Sequence, residues 1–189
     1  LRKLLCPSRH ATSNRTRKVS GFPVHRTSVC GRSKPTGGLI MAIINLPADF
    51  KEFWRLLETN RVEYLLVGGY AVAFHGYPRS TADMDVWVAV HPENAERIAA
   101  ALVEFGFGTP EMKPGLFLEK NRIIRMGVPP YRIEILTTVS GVEFSECYTH
   151  RVVDDLDGTK VSLIDLAHLK LNKKAAGRHK DLDDLENLP

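Results

Sequence analysis

Between Leu66 and Val88 the chain reads LVGGYAVAFHGYPRSTADMDVWV, and this stretch constrains the fold more than any other. The apolar run Glu63–Val67 (EYLLV) reads as a short buried strand, broken by Gly68-Gly69. Tyr70–His75 then reads as a short helix ending at Gly76, and Met84–Val90 (MDVWVAV), alternating and β-branched, as a second strand.

The flanking sequence supplies the remaining layers. Pro47-Ala48-Asp49 opens a helix whose Phe50, Phe53, Trp54, Leu56 and Leu57 recur at helical spacing. Glu93–Phe105 is a further helix, started by Pro92 and stopped by Gly106 and Gly108. Arg122–Val128 and Tyr131–Thr137 read as strands separated by Pro129-Pro130. Arg151–Leu156 and Thr159–Ile164 flank Asp157-Gly158, a dipeptide favoured in type I′ hairpin turns. Helices at Leu166–Ala176 and His179–Leu188, hinged at Gly177, end the sequence. This order predicts an α/β (α+β) chain with a mixed central sheet flanked by helices.

Charge divides the chain in two. Residues 1–40 hold nine Lys/Arg and no acid, leaving 17 basic against 22 acidic residues, a net of −5, for the remainder. The first forty residues lack apolar periodicity and are too polar to offset their own ordering entropy, so they are expected to be a disordered basic leader. Three readings of it stand: an organellar transit peptide, a nucleic-acid-binding arm, or translated sequence upstream of a natural start at Met41. The last is adopted, which makes 41–189 the folded domain. The acidic balance of that domain argues against broad nucleic-acid binding by clustered Lys/Arg. No stretch approaches the ~20 apolar residues of a membrane span. Cys6, Cys30 and Cys147 form no C-x-x-C pair, so a reducing cytoplasm is the expected setting and a disulfide framework is not.

Three features carry chemistry. Gly68-Gly69 at a strand–helix junction lets a ligand approach the backbone, and the helix start that follows suits phosphate, although two glycines taken alone more often mean a plain turn. Asp83 and Asp85 fall on one face of a strand, about 6–7 Å apart at ~3.3 Å per residue, where they repel each other unless a cation intervenes. Glu134 sits between isoleucines in mid-strand, either facing solvent or pairing with Arg132, or serving as a third ligand. Lys170, Lys173, Lys174 and Arg178 suit the negative end of a helix before Gly177, and Asp181 suits a helix cap. His75 has no Ser or Cys partner at triad spacing, and Cys147 reads as a small buried apolar residue.

Taken together, an apolar-Gly-Gly element, thirteen intervening residues, Asp-x-Asp entering an apolar strand and a later lone carboxylate resemble the polymerase-β-like nucleotidyltransferase superfamily. The likeness is stronger to its small bacterial members of the AbiEii toxin type. It rests on Gly68, Gly69 and Ala71, on Arg79, Thr81, Asp83 and Asp85, and on the late Lys173 and Arg178-His179-Lys180-Asp181. It runs through residues 47–189. Two departures accompany it: Glu134 stands where Asp is commoner, and the glycine pair lacks the Ser of many members.

The resemblance implies a nucleotidyltransferase fold and a two-metal transfer of NMP from an NTP to a hydroxyl. Asp83, Asp85 and Glu134 would hold Mg²⁺ or Mn²⁺, in the manner of paired metals about 3.5–4 Å apart. Gly68, Gly69, Arg79, Ser80, Thr81, Lys173 and Asp181 would bind nucleotide, with Arg79 and Lys173 on the leaving phosphates. Acceptors consistent with it are RNA or a tRNA end, a protein, or a small molecule, and a toxin would have a cognate antitoxin. The competing function is a catalytically silent nucleotide-binding or antitoxin partner of the same fold. An antibiotic-modifying enzyme is less consistent, because such enzymes usually carry a larger acceptor-binding domain.

Overall fold

Alternation and glycine placement do set the architecture, as the computed structural model shows for residues 46–156 and 158–189. The predicted leader, the Met41 start, Cys6, Cys30 and Asp157 of the hairpin turn lie outside these described residues. Helix α1 (Ala48–Thr59) is followed by β1 (Tyr64–Leu66), α2 (Gly68–Phe74), β2 (Asp83–Val88) and α3 (Pro92–Glu104). A 3-10 turn at Pro114–Leu118 leads to β3 (Ile123–Val128) and β4 (Tyr131–Leu136). Then come α4 (Phe144–Thr149), β5 (Val152–Leu156), β6 (Thr159–Leu163), α5 (Leu166–Ala176) and α6 (His179–Asn187).

The six strands form one mixed sheet in the order β3-β4-β2-β1-β6-β5. Strand β2 runs parallel to β4 and antiparallel to β1, and β1 runs parallel to β6. Hairpins β3–β4 and β5–β6 close the two edges. In the second, Leu156 opposes Thr159 and Gly158 has φ +82°, as a tight two-residue turn demands.

Period-two alternation assigns each strand residue to a face. Met84, Val86 and Val88 of β2 and Ile133 and Ile135 of β4 join Phe50, Phe53 and Trp54 of α1 and Ile98 and Leu102 of α3 in the larger core cluster. Trp87, one residue out of phase, belongs to a second cluster with Leu65, Val67, Ala71, Val72, Cys147 and Leu169. The sheet is therefore covered on both faces, and the second face also carries Asp83 and Asp85.

The structure departs from the sequence reading in three places. Gly68 and Gly69 do not precede helix α2 but form its first turn, Gly68 with φ +63°. Helix α4 and the 3-10 turn were not anticipated, since neither is long enough to display a period. No helix among the described residues is long and apolar enough to cross a membrane.

Candidate active site

The second sheet face is a ladder of cross-strand rows, two polar and one apolar. Because β2 and β4 are parallel and in register, Asp83 lies opposite Arg132, Asp85 opposite Glu134 and Trp87 opposite Leu136. The antiparallel β3 extends the middle row by placing Arg125 opposite Glu134. Asp83, Asp85 and Glu134 thus share one face, on the neighbouring strands β2 and β4.

Their partners differ. Arg132 grips Asp83 with two bonds, Nε to Oδ1 and Nη2 to Oδ2, each 2.9 Å. Arg125 Nε donates to Glu134 Oε1 at 2.7 Å. Asp85 has no side-chain hydrogen bond or ion pair among the described residues. Burial raises its pKa, and the neighbouring Glu134 raises it further, to about 6. Arg125 and Arg132 were not singled out as site residues from sequence. Arg132, two residues from Glu134 in sequence, is given by the register to Asp83 instead.

Gly68 is required beside this carboxylate. A Cβ there would lie 2.6 Å from Asp85 Cγ, and its positive φ disfavours other residues independently. A Cβ on Gly69 would come within 2.7 Å of Thr81 Cβ. The glycine pair therefore seats the chain against the Asp85 carboxylate and the loop that carries Arg79 and Thr81. Thr81 Oγ1 donates to the Asp83 carbonyl at 3.3 Å.

A cleft of about 630 Å³ opens over these groups and is lined by Gly68, Gly69, Arg79, Thr81, Asp83, Asp85, Glu134, Lys173 and Asp181. Of the residues expected from sequence only Ser80 is outside it, exposed in the loop. Arg178 and Lys180, both exposed, line it as well.

Arg79, Lys173 and Asp181 are not free ligands in this arrangement. They belong to a chain of ion pairs running Arg79–Asp184–Lys173–Asp181–Arg178. Lys173 Nζ lies 2.9 Å from Asp181 Oδ1 and 2.8 Å from Asp184 Oδ2, and the lysine is 3% exposed. Arg79 holds Asp184 through Nε and Nη2, and Arg178 Nε donates to Asp181 Oδ2 at 2.6 Å. The Arg178 backbone N–H also donates to Asp181, so the helix-capping reading of that residue holds locally. Asp184, fully buried at the centre of the network, escaped the sequence reading. Its only signal was a spacing of three residues from Asp181, which puts both on one helix face.

This network makes a pH prediction. Burial alone would raise the Asp181 pKa, but hydrogen bonds from Arg178 and Lys173 outweigh it and hold the group at about 2. Asp184 is lowered too, burial again being outweighed, here by Arg79 and Lys173. Both folded-state values lie below the ~3.9 of an unfolded Asp, so the unfolded chain binds more protons in acid. The stabilisation is complete above about pH 4 and is lost as pH falls towards 2. Urea midpoints measured from pH 5 to pH 2 are expected to fall steeply for the wild-type chain, and less steeply for Asp181→Asn.

Cys147 is buried as read from sequence, and His75 caps the C-terminal end of α2 but does not line the cleft. His75 Nε2 meets the Ile164 carbonyl at 2.7 Å, and burial lowers its pKa. Cys147 is fully buried, and burial raises its thiol to about 11, so little nucleophilic thiolate forms near neutrality.

The donors available to a divalent cation are Asp83, Asp85 and Glu134. All three donors are carboxylate oxygens, as a hard cation requires, and among the described residues Asp85 has no counter-charge in direct contact. Among the described residues no three His, Cys, Asp or Glu side chains converge in a ready-made cage, because Arg132 and Arg125 draw Asp83 and Glu134 to themselves. The chemistry fits; a cation would have to compete with two arginines.

No protein-family model matches the chain, and no curated protein does. Among solved structures it is similar to a candidate nucleotidyltransferase from Thermotoga maritima, at 15% identity and a TM-score of 0.48, over 72% of this chain and 88% of that one. It is also similar to an antigenic nucleotidyltransferase-like protein from Paracoccidioides brasiliensis, at 15% identity and a TM-score of 0.43, over 81% of this chain and 74% of that one. Likenesses this distant do not bear on the chemistry.

Proposed function

We propose that the chain is a metal-dependent nucleotidyltransferase that moves NMP from an NTP to a hydroxyl acceptor. The observation that carries this reading is the row formed by Asp85 and Glu134, with Asp83 two residues away on the same face and the Gly68 backbone against Asp85. Mg²⁺ or Mn²⁺ held by Asp83, Asp85 and Glu134 would neutralise phosphate charge and acidify the attacking hydroxyl.

The chain's own residues do the rest. The Gly68–Gly69 backbone and Thr81 border the nucleotide, and the exposed Arg178 and Lys180 meet its outer phosphates. Arg79 and Lys173 add positive potential from behind, through the network that already binds them. The hydroxyl oxygen forms a bond to the α-phosphorus as the bond to pyrophosphate breaks. Glu134 orients the hydroxyl and accepts its proton, and pyrophosphate leaves with the departing electron pair. Positioning and electrostatics supply most of the rate in such a transfer. The sequence resemblance extends the reading to a toxin of a toxin–antitoxin or abortive-infection system, with a cognate antitoxin.

A second reading is favoured by one observation. The two-bond grip of Arg132 on Asp83 gives that carboxylate a structural partner. A catalytically silent nucleotide-binding or antitoxin protein would tolerate this permanently, whereas an enzyme must release it.

The two readings separate in a labelling experiment. With Mg²⁺ and cell extract, α-labelled NTP is expected to transfer label to an acceptor while γ-labelled NTP transfers none, and EDTA is expected to abolish transfer. Transfer from the γ position, or transfer undiminished by EDTA, would defeat the assignment. Metal-dependent NTP binding without transfer would support the silent protein.

A further inference from the structure

A second cavity, of about 680 Å³, adjoins the carboxylate cleft and is not used by the chemistry above. The two share Thr138 and Val139 as a common wall. Trp87 lines the new cavity, and it stands two residues beyond Asp85 on the same face of β2. At ~3.3 Å per residue, the Trp87 backbone lies about 7 Å along β2 from that of Asp85.

Its lining has a defined character. Phe144 packs edge-on against Trp87, with ring centroids 5.1 Å apart, and stacks on Tyr148 at 5.3 Å. The Trp87 indole is 2% exposed, and its Nε1–H has no hydrogen-bond partner among the described residues. A buried donor without an acceptor is costly, and a ligand oxygen in the cavity would satisfy it. Three carboxylates, Glu63, Glu143 and Glu146, face it against one lysine and one histidine, Lys120 and His91. Glu63 is shared with Arg97 and His91, and Glu146 approaches His168, while Glu143 has no ion pair among the described residues.

We infer that this cavity is the acceptor site, and that the acceptor is a small hydroxylated compound with a flat apolar body and a positively charged amine. The inference rests on the nucleotidyltransferase reading and narrows it. The volume suits a small molecule. The aromatic wall takes the flat body, Trp87 N–H donates to an oxygen on it, and the glutamates attract the ammonium. The same acidic lining repels a polyanion, so RNA is excluded from this site. An acceptor hydroxyl reaching past Thr138 and Val139 arrives at Glu134 and the α-phosphorus. There its oxygen bonds to phosphorus, its proton goes to Glu134, and pyrophosphate is released.

The test uses the full chain carrying Trp54→Phe, which leaves Trp87 as the only tryptophan. Tyramine, N-acetyltyramine and a six-residue oligoadenylate are titrated while indole fluorescence is followed. Tyramine is expected to change the emission saturably at millimolar concentration. N-acetyltyramine is expected to bind about tenfold more weakly, since it keeps the ring and the hydroxyl but lacks the charge. Glu143→Gln combined with Glu146→Gln, both at exposed positions, is expected to remove most of that preference. No saturable effect of tyramine, equal binding of its N-acetyl form, or saturation by the oligoadenylate would overturn the assignment. The titration needs neither metal nor NTP. Tyramine binding without label transfer would therefore sink only the enzymatic reading, and label transfer without tyramine binding only the acceptor site.

Discussion

Asp85→Asn is expected to abolish nucleotide transfer, by about a thousandfold or more, while leaving the folded chain at least as stable as before. The size follows from removing a charged oxygen at the centre of the site, where each factor of ten corresponds to about 1.4 kcal/mol of barrier. The stability follows from the wild-type carboxylate, which has no hydrogen-bond or ion-pair partner among the described residues and is raised to about 6 by burial and Glu134. A folded-state pKa above the unfolded ~3.9 means that the charged form is disfavoured by folding. The penalty develops as pH rises from about 4 to about 6 and is complete above that. Asparagine is neutral and nearly isosteric, so without divalent cation at pH 7.5 its Tm should equal or exceed that of the wild-type chain. Strain of this kind at a working site is the usual stability–activity exchange. Calorimetry in EDTA beside the α-label assay checks both halves. Unimpaired transfer would mean that Asp85 holds nothing essential, and a lower Tm would mean that it has a structural partner.

Most of the fold was legible because its signals are local. Alternation in MDVWVAV and YRIEIL, and the stops at Gly76, Gly106 and Gly177, each report a decision that a few adjacent residues make. Helix α4 was not legible, because FSECYT is one short turn whose existence depends on Phe144 and Cys147 finding the second core cluster. The site divides in the same way. That Asp83 and Asp85 share a face follows from the two-residue period of any strand. Which residue stands opposite them is a matter of register between strands nearly fifty positions apart, and nothing near Asp83 announces Arg132. Glu134 could be suspected, because a carboxylate between isoleucines is out of place, but its pairing with Arg125 needed β3 to be laid beside β4. The basic cluster near Gly177 was legible as helix-end charge, and at the start of α6 the Asp181 carboxylate accepts from the Arg178 backbone and side chain. That Lys173 turns inward could not be read, because the acids that receive it lie on the next helix.

Asp184→Ala is expected to cost about 3–5 kcal/mol of stability, the range found when one member of a buried ion pair is removed and its partner is left in place. Asp184 is 0% exposed and carries two cations at once, Arg79 at 2.9 Å through Nη2 and Lys173 at 2.8 Å. Its loss leaves Lys173 sharing Asp181 with Arg178 and leaves Arg79, whose side chain is 13% exposed, without a carboxylate. For a chain of this size the melting temperature should fall by about 10 °C. Activity should fall with it, because Arg79 ties the loop preceding β2 to α6 and so fixes the entry of Asp83 and Asp85 into the sheet. Lys173→Met should be less harmful in the Asp184→Leu background than alone, since the two residues share one contact and an apolar pair can replace it. A Tm change below about 2 °C for Asp184→Ala would show that the buried cations relax or rehydrate at little cost. The C-terminal helices would then be held by Leu169 and Leu188 in the second core cluster rather than by charge.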